Sequence, residues 1–291
     1  MKPEYAVIGC GKVGTVLAKL MSQAGYPCAG VASKSMASAR QAALAGGTTR
    51  FGTDNHDIAV RADIVLITTP DSLIETVCRD IAAKKGFKKG STILHCSGSQ
   101  ASTILSTAGD CGAVIGSMHP LQSFASKDIS GNPFNDIIVS VEGDPEAVST
   151  ARHIAVDLGA RCTEIKTDAK TLYHASAVTA CNYLTALMDM AFKLIGYAGV
   201  SSEDAFDILK PLIEGTLKNI ENVGIPQALT GPIERGDSAT IRRHLTEIRS
   251  QAPELLPLYT QLGIHTIGIA RAKGSLSGAG AKKLEKLFET L

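Results

Sequence analysis

Lys170, His174 and Asn182 lie four and eight residues apart near the start of a helical pattern that we predict over 168–198. That spacing places their side chains on roughly one face of an α-helix. A histidine or lysine there could give a proton to a carbonyl oxygen or imine nitrogen as hydride arrives from a nicotinamide. Asn182 could hydrogen-bond the same substrate atom. We therefore predict catalytic roles for all three, and the sequence leaves open whether His174 or Lys170 is the general acid. A solvated first turn with a capped core histidine would give the same pattern.

Further polar side chains follow two predicted strands. His119 comes after the strand at 113–118, with Gln122 just beyond it, and Ser97 and Ser99 flank a glycine at the end of the preceding strand. Ligands of open α/β sheets bind outside the carboxyl ends of the strands. We predict that His119 contacts the reacting part of a substrate, although a His-Pro pair is also common in plain loops. Ser97, Ser99 and Gln122 are predicted substrate contacts, the serines as donors to a carboxylate.

A glycine-rich turn provides the strongest signal in the chain. An apolar strand runs directly into Gly9-x-Gly11-x-x-Gly14, and a helical pattern follows. In this motif the first glycine permits a tight turn, the second lets backbone N–H groups approach a pyrophosphate, and the third packs the helix on the strand. The helix N-terminus also favours an anion. We predict that these glycines, with Lys12 and Val13, bind a dinucleotide.

The end of the second predicted strand indicates which dinucleotide binds. A site for NAD usually carries an acidic residue there to hold the ribose 2′-hydroxyl. Here the strand ends in Ser33-Lys34-Ser35, and the first acidic residue is Asp54. Hydroxyl groups and a cation suit a 2′-phosphate, and Arg40 is a candidate second cation. We predict NADP(H) as the cofactor, although a solvated loop carrying a lysine is the alternative.

The elements that must position these residues fall into two groups. Residues 1–166 alternate short apolar strands with helical stretches, which predicts a doubly wound, mainly parallel Rossmann sheet. Thr69 and Pro70 follow one of these strands, so we predict that they also contact the cofactor. From 167 to 291 the pattern is helical throughout. We predict an α/β fold with an NADP-binding domain at 1–166 and an all-helical substrate and dimerisation domain at 167–291.

Composition excludes several classes of partner. The net charge is +1 and no basic run occurs, so neither nucleic acid nor an anionic membrane is expected to bind. The apolar stretch at 175–200 contains Asp189 and Lys193, which disfavours a membrane span. We predict that this helix is buried against a second subunit, giving a homodimer.

The cysteines and the N-terminus bear on the compartment. Seven cysteines without C-x-x-C spacing fit free thiols in a reducing cytoplasm, and we expect no metal site. The first strand starts by residue 5, which leaves no room for a signal peptide, so we expect a cytoplasmic protein.

Three longer stretches resemble a known family. They are 118–124, 173–184 and 229–237. The chain is similar to bacterial proteins that join a Rossmann-like NADP-binding domain to a C-terminal helical domain of unknown function. That family is related to ketopantoate reductase, pyrroline-5-carboxylate reductase, prephenate dehydrogenase and 6-phosphogluconate dehydrogenase-like enzymes. The resemblance implies NADP-linked reduction in a dimer whose helical domains pack together. Arg235, within the last stretch, could reach an anionic substrate.

The related enzymes suggest how these residues would be used. The segment beginning at Asn182 resembles a segment of ketopantoate reductases, which puts His174 where their general-acid lysine stands; a register one turn earlier puts Lys170 there. Gly98-Ser99 and His119-Pro120 resemble prephenate dehydrogenases. The sequence thus favours an NADPH-dependent oxidoreductase of a small keto or imino acid, including ketopantoate-like substrates. The alternatives are a non-catalytic NADP-binding sensor and an NAD-linked dehydrogenase of prephenate type.

Overall fold

The chain divides into two compact units. A computed structural model describes residues 1–124 and 131–290. The N-terminal unit comprises Met1–Ala180 and the C-terminal unit Cys181–Leu291. The N-terminal unit thus includes the whole sheet and the helix that follows its last strand.

A single mainly parallel sheet organises the N-terminal unit. Its strands run in the order β3-β2-β1-β4-β5-β6-β7-β8, and only the β6–β7 pair is antiparallel. This order and direction confirm the predicted doubly wound α/β fold. The strands are β1 Tyr5–Ile8, β2 Cys28–Ala32, β3 Phe51–Gly52, β4 Ile64–Ile67, β5 Thr92–His95, β6 Val114–Pro120, β7 Ile138–Gly143 and β8 Arg161–Glu164.

Helices cover both faces of this sheet. Alternate side chains of β1 enter different cores: Tyr5 and Val7 belong to one buried cluster, and Ala6 and Ile8 to the other. Strands buried on both faces in this way need no polar side, which explains the continuous apolar runs in the sequence. The helices are α1 Lys12–Gln23, α2 Met36–Ala45, α3 Asn55–Ala59, α4 Asp71–Ala83, α5 Ser106–Gly109, α6 Pro145–Asp157 and α7 Lys170–Val178, with 3-10 turns at Ser102–Leu105 and Thr167–Ala169.

The described part of the C-terminal unit contains helices and no strands, as predicted. Its largest core gathers Ile241, Leu245, Ile267 and Leu284. No helix among the described residues is both long and apolar enough to cross a membrane. The helices are α8 Leu184–Tyr197, α9 Ala205–Val223, α10 Ile225–Ala228, α11 Ser238–Gln251, α12 Leu256–Lys273 and α13 Gly278–Thr290, with a 3-10 turn at Pro253–Leu255.

The continuous helix predicted over 168–198 is wrong in one respect. α7 ends at Val178, and a π-helical turn, Thr179–Tyr183, precedes α8. On either side of the break, threonine hydroxyls donate to the carbonyl oxygen four residues earlier, Thr179 to Ala175 at 2.8 Å and Thr185 to Cys181 at 3.1 Å. Such bonds compete with the regular helical pattern and often accompany bends. The regular α-helical spacing on which the alignment of Asn182 with His174 depended is therefore interrupted.

Candidate functional site

The glycine turn after β1 shows which of its glycines the fold requires. Gly9 has φ +107°, and a Cβ there would lie 2.7 Å from the backbone nitrogen of Thr69. A Cβ on Gly14 would overlap the Gly9 carbonyl oxygen and lie 3.1 Å from Val7 Cγ1. At Gly11 a Cβ would meet nothing within 4 Å. Packing therefore demands glycine at the first and third positions, whereas the second faces open space where a ligand could approach the backbone.

The N-terminus of α1 borders that open space. Gly11 is the N-cap of the helix, and no side chain caps it. The first N–H groups of a helix lack partners within the helix, and the helix dipole adds a partial positive charge there. The backbone of Lys12 and Val13 lies in this first turn. The turn can thus hold a phosphate or pyrophosphate by backbone hydrogen bonds.

The residues after β2 that were predicted to select the cofactor lie at or near the protein surface. Lys34 and Arg40 are exposed, and Ser33 is half-buried. The Ser35 hydroxyl caps α2 by accepting from the backbone N–H three residues later at 3.5 Å. Asp54, the first acidic residue after the strand, caps α3 by accepting a backbone N–H at 2.9 Å. The acidic side chain after β2 therefore already has a structural role.

The loop after β4 brings a carboxylate to the carboxyl edge of the sheet. Asp71 starts α4 directly after Pro70, and its Oδ2 accepts hydrogen bonds from Ser97 Oγ at 2.7 Å and Ser99 Oγ at 2.9 Å. The two hydroxyls predicted to hold a substrate carboxylate thus donate to Asp71. The buried Oγ1 of Thr69 has no hydrogen-bond partner among the described residues. The sequence predicted that the cofactor lies along the loop at 69–71, which includes Asp71, but it gave no sign of the hydrogen bonds from the two serines.

Lys170 is tied into a buried polar network. Its side chain is 1% exposed, and Nζ donates to Glu142 Oε1 at 3.1 Å and to Ser117 Oγ. Glu142 also accepts from the backbone N–H of Ser102 at 2.9 Å and from its hydroxyl at 2.7 Å. Ser117 and Glu142 face each other in the antiparallel β6–β7 pair, so one ammonium group reaches both.

Opposing effects set the protonation of this ion pair. Burial lowers the pKa of Lys170, and the charge of Glu142 works against that shift. Burial alone would raise the pKa of Glu142, but the Ser102 hydrogen bonds and the Lys170 charge leave it below its ordinary value. The Lys170 ammonium group and the Glu142 carboxylate thus each favour the charged form of the other against the effect of burial. Sequence reasoning missed Glu142, because an acidic residue at the end of a strand pattern gives no local sign of burial.

Two histidines meet around Gly98. The ring centroids of His119 and His174 are 6.3 Å apart, and His119 Nδ1 lies 3.0 Å from the Tyr173 hydroxyl. A Cβ on Gly98 would lie 2.7 Å from His119 Nε2 and 2.6 Å from His174 Cδ2, so only glycine allows this approach. Burial lowers the pKa of His119 to about 4, with the charge of Lys170 adding to the effect. His119 is therefore neutral near pH 7.

A third histidine supports the turn that carries Gly98. His95, at the end of β5, is fully buried, and its Nδ1 accepts the backbone N–H of Ser97 at 3.1 Å. Burial, followed by the charge of Lys170, lowers the pKa of His95 to about 4. A neutral imidazole accepting at Nδ1 holds the chain in place immediately before the two serines.

The structure brings together several of the predicted residues within the N-terminal unit. Ser97, Ser99, His119, Lys170 and His174 cluster in the N-terminal unit. Gln122 is exposed, and its side chain accepts the backbone N–H of the next residue at 2.9 Å. Asn182 and Arg235 are exposed residues of the C-terminal unit, and their substrate contacts stay predictions. Across 1–124 and 131–290, no group of three or more histidine, cysteine, aspartate or glutamate side chains is placed to hold a metal ion.

Two family models match the sequence. One describes a Rossmann-like domain and matches residues 2–120. The other describes a domain of unknown function, DUF2520, and matches residues 137–266. No curated protein matches the sequence significantly.

Several solved structures share the fold over nearly the whole chain. A candidate NADP oxidoreductase from Bacteroides fragilis is 24% identical with a TM-score of 0.72, and the match covers 91% of this chain and 98% of that chain. An imine reductase from a Pseudomonas species is 18% identical with a TM-score of 0.63, and pyrroline-5-carboxylate reductase from Coxiella burnetii is 14% identical with a TM-score of 0.58. The latter two matches cover 99% of this chain and 99% of each neighbour. At these identities the likeness establishes a common fold.

Proposed function

We propose that this chain, which matches a Rossmann-like domain over residues 2–120 and the domain of unknown function DUF2520 over residues 137–266, is an NADPH-dependent oxidoreductase of a small keto or imino acid. The observation that carries the proposal is the turn at Gly9, Gly11 and Gly14. Packing requires glycine at Gly9 and Gly14, whereas Gly11 leaves an uncapped helix N-terminus open to a phosphate. The folds of the candidate NADP oxidoreductase and the imine reductase add support.

The preference for NADPH over NADH rests on the residues after β2. Lys34 and Arg40 are exposed cations that could pair with a 2′-phosphate. The carboxylate that a 2′-hydroxyl would need is missing from the end of the strand, and Asp54 caps α3 instead. Electrostatics at this position therefore favour the phosphorylated cofactor.

The side chains around Gly98 suggest which residue would protonate the substrate during reduction. When bound, NADPH supplies a hydride to a carbonyl or imine carbon, and the attached oxygen or nitrogen then needs a proton. His174 is half-buried and can exchange protons with solvent, whereas Lys170 is buried and already donates to Glu142 and Ser117. We therefore assign the general acid to His174.

A homodimer is part of this proposal. Helices of the C-terminal unit expose large apolar side chains that a monomer would leave in water, among them Leu212 of α9, which is 69% exposed. Such surfaces usually mark an interface. We propose that a second copy of the chain covers this apolar surface, which extends over several helices of the C-terminal unit. Its exposed apolar side chains include Leu187, Phe206, Ile208, Leu217, Val223 and Leu262.

Calorimetric titration with NADPH and NADH tests the proposal first. We expect NADPH to bind more tightly, and a panel of 2-keto and imino acids should then contain one that oxidises NADPH, followed by absorbance. Tight binding without turnover across a broad panel would favour the NADP-sensing alternative. Failure to bind either nucleotide would contradict the dinucleotide site itself.

A further inference from the structure

The Tyr173 hydroxyl and the His119 ring form a pair of defined geometry. The oxygen lies 3.0 Å from Nδ1, and the two ring centroids are 5.7 Å apart with an interplanar angle of 87°. Burial raises the pKa of Tyr173, so its phenol keeps its proton at neutral pH. The pKa of His119 is lowered to about 4, so its ring is uncharged there.

These protonation states allow the Tyr173 hydroxyl to be the donor in this hydrogen bond. A neutral imidazole carries one N–H donor and one acceptor nitrogen. The Tyr173 hydroxyl, which keeps its proton, can donate it to His119 Nδ1, and the single ring proton then lies on Nε2. In that arrangement Tyr173 selects the tautomer of His119.

The Nε2 edge of the His119 ring lies against Gly98 and His174. Nε2 has no hydrogen-bond partner among the described residues. Gly98 contributes no side chain at this edge of the ring. An oxygen or nitrogen atom of a ligand could accept a hydrogen bond at this position.

We propose that Tyr173 is a positioning residue, which holds His119 as the Nε2–H tautomer so that this N–H donates a hydrogen bond to the oxygen or nitrogen that is protonated during reduction. The inference rests on the proposed reductase function. A neutral histidine can polarise a carbonyl or imine in this way without giving up its proton.

Proton balance separates the roles of the two histidines. If His119 transferred its Nε2 proton, the ring would become an imidazolate unless the Tyr173 proton moved to Nδ1, and that would leave a buried phenolate. His119 therefore keeps its N–H bond, and the proton that joins the substrate comes from the imidazolium form of His174, which takes up that proton from solvent and is left as a neutral imidazole after donation. The charged and titratable groups that face His119 are Lys170, His174 and Asp71, the first two disfavouring and the third favouring its protonation.

Nitrogen-15 NMR of histidine-labelled protein tests the tautomer without any substrate, because protonated and unprotonated ring nitrogens give widely separated shifts. In the full-length protein we expect His119 to show Nε2 protonated and Nδ1 unprotonated from pH 6 upward. In Tyr173→Phe the His119 nitrogens should move toward averaged shifts and the pKa of His119 should rise, because the hydrogen bond that favours the neutral ring is lost. A protonated Nδ1 in the unaltered protein would overturn the proposal.

The chain offers a matched control. Tyr259 also places its hydroxyl next to a histidine Nδ1, 2.7 Å from that of His244 in the C-terminal unit. Tyr259→Phe should change the His244 resonances and leave those of His119 unaltered. A change at His119 in both variants would point to a general loss of structure and would contradict a specific role for Tyr173.

Kinetics with the substrate found by the panel test the catalytic part. We expect Tyr173→Phe to lower kcat by about tenfold with the KM for NADPH unchanged. This is less than the roughly 10²–10³-fold loss that follows removal of a preorganised donor, because the His119 ring is still present in the variant. If Tyr173→Phe alters the His119 tautomer but leaves kcat unchanged, the proposed hydrogen bond from His119 to the substrate is wrong. If no nucleotide binds, the proposed function fails, whereas the NMR result still decides whether Tyr173 sets the tautomer.

Discussion

Replacing two glycines of the β1–α1 turn separates cofactor binding from folding. Gly11→Ala adds a methyl group where nothing lies within 4 Å, at a backbone φ of −75° that alanine adopts freely. Gly14→Ala adds the same group where it overlaps the Gly9 carbonyl oxygen. The two variants therefore add the same methyl group, in Gly11→Ala to open space and in Gly14→Ala to space that the backbone already occupies.

The structure gives the expected magnitudes. For Gly14→Ala the obstacle is backbone, which cannot rotate away, so we expect a loss near the upper end of overpacking effects, about 3 kcal/mol of unfolding free energy. Alanine is a poorer N-cap than glycine, so Gly11→Ala should cost about 1 kcal/mol or less. Its methyl group would stand between the helix N-terminus and a phosphate, and we expect NADPH affinity to fall by about tenfold or more, equivalent to about 1.4 kcal/mol.

Urea unfolding and calorimetric titration with NADPH measure the two effects on the same samples. Normal folding with wild-type NADPH affinity in Gly11→Ala would refute the assignment of the phosphate site. A stable, well-folded Gly14→Ala would refute the packing argument, because the structure leaves no space for the added carbon.

Three further substitutions test other parts of the chain. Lys170→Met leaves Glu142 buried without its counter-ion, so urea unfolding should show a loss of about 3–5 kcal/mol. Lys34→Glu places a carboxylate at the end of β2, and calorimetry should show weaker NADPH binding with NADH binding unchanged or stronger. Leu212→Glu puts a charge on the exposed apolar surface of α9, and light scattering should show a shift from dimer to monomer.

Each of these has a matched control. Lys193→Met breaks an exposed ion pair with Asp189 at 2.8 Å and should leave stability unchanged within error. Lys84→Glu makes the same charge change at the end of α4 and should not alter the preference between the nucleotides. Val156→Glu charges an exposed apolar side chain of the N-terminal unit and should leave the oligomeric state as it is. Equal effects in a variant and its control would contradict the corresponding argument.

The sequence predicted those features that local patterns determine. The Gly9-x-Gly11-x-x-Gly14 turn and the alternation of strands and helices follow from residue type and spacing over short distances, and the sheet confirms the fold. The sequence does not indicate the π-helical turn at Thr179–Tyr183, because helical periodicity does not register a single wider turn. It also does not indicate the partners of Asp71 or the burial of Glu142, because those contacts join residues distant in sequence.

The roles of Lys170 and His119 depend on strand register, which no local pattern encodes. Ser117 and His119 lie two residues apart on β6, so their side chains point to the same face of the sheet. Lys170 donates to Ser117, and His119 lies two residues nearer the carboxyl end of the strand, where ligands of such sheets bind. Glu142 joins Lys170 only because β7 runs antiparallel and pairs with Ser117. Lys170 is thus buried on the same face of the sheet as His119, and its charge adds to the effect of burial that keeps the His119 ring neutral, which favours a supporting role for the lysine.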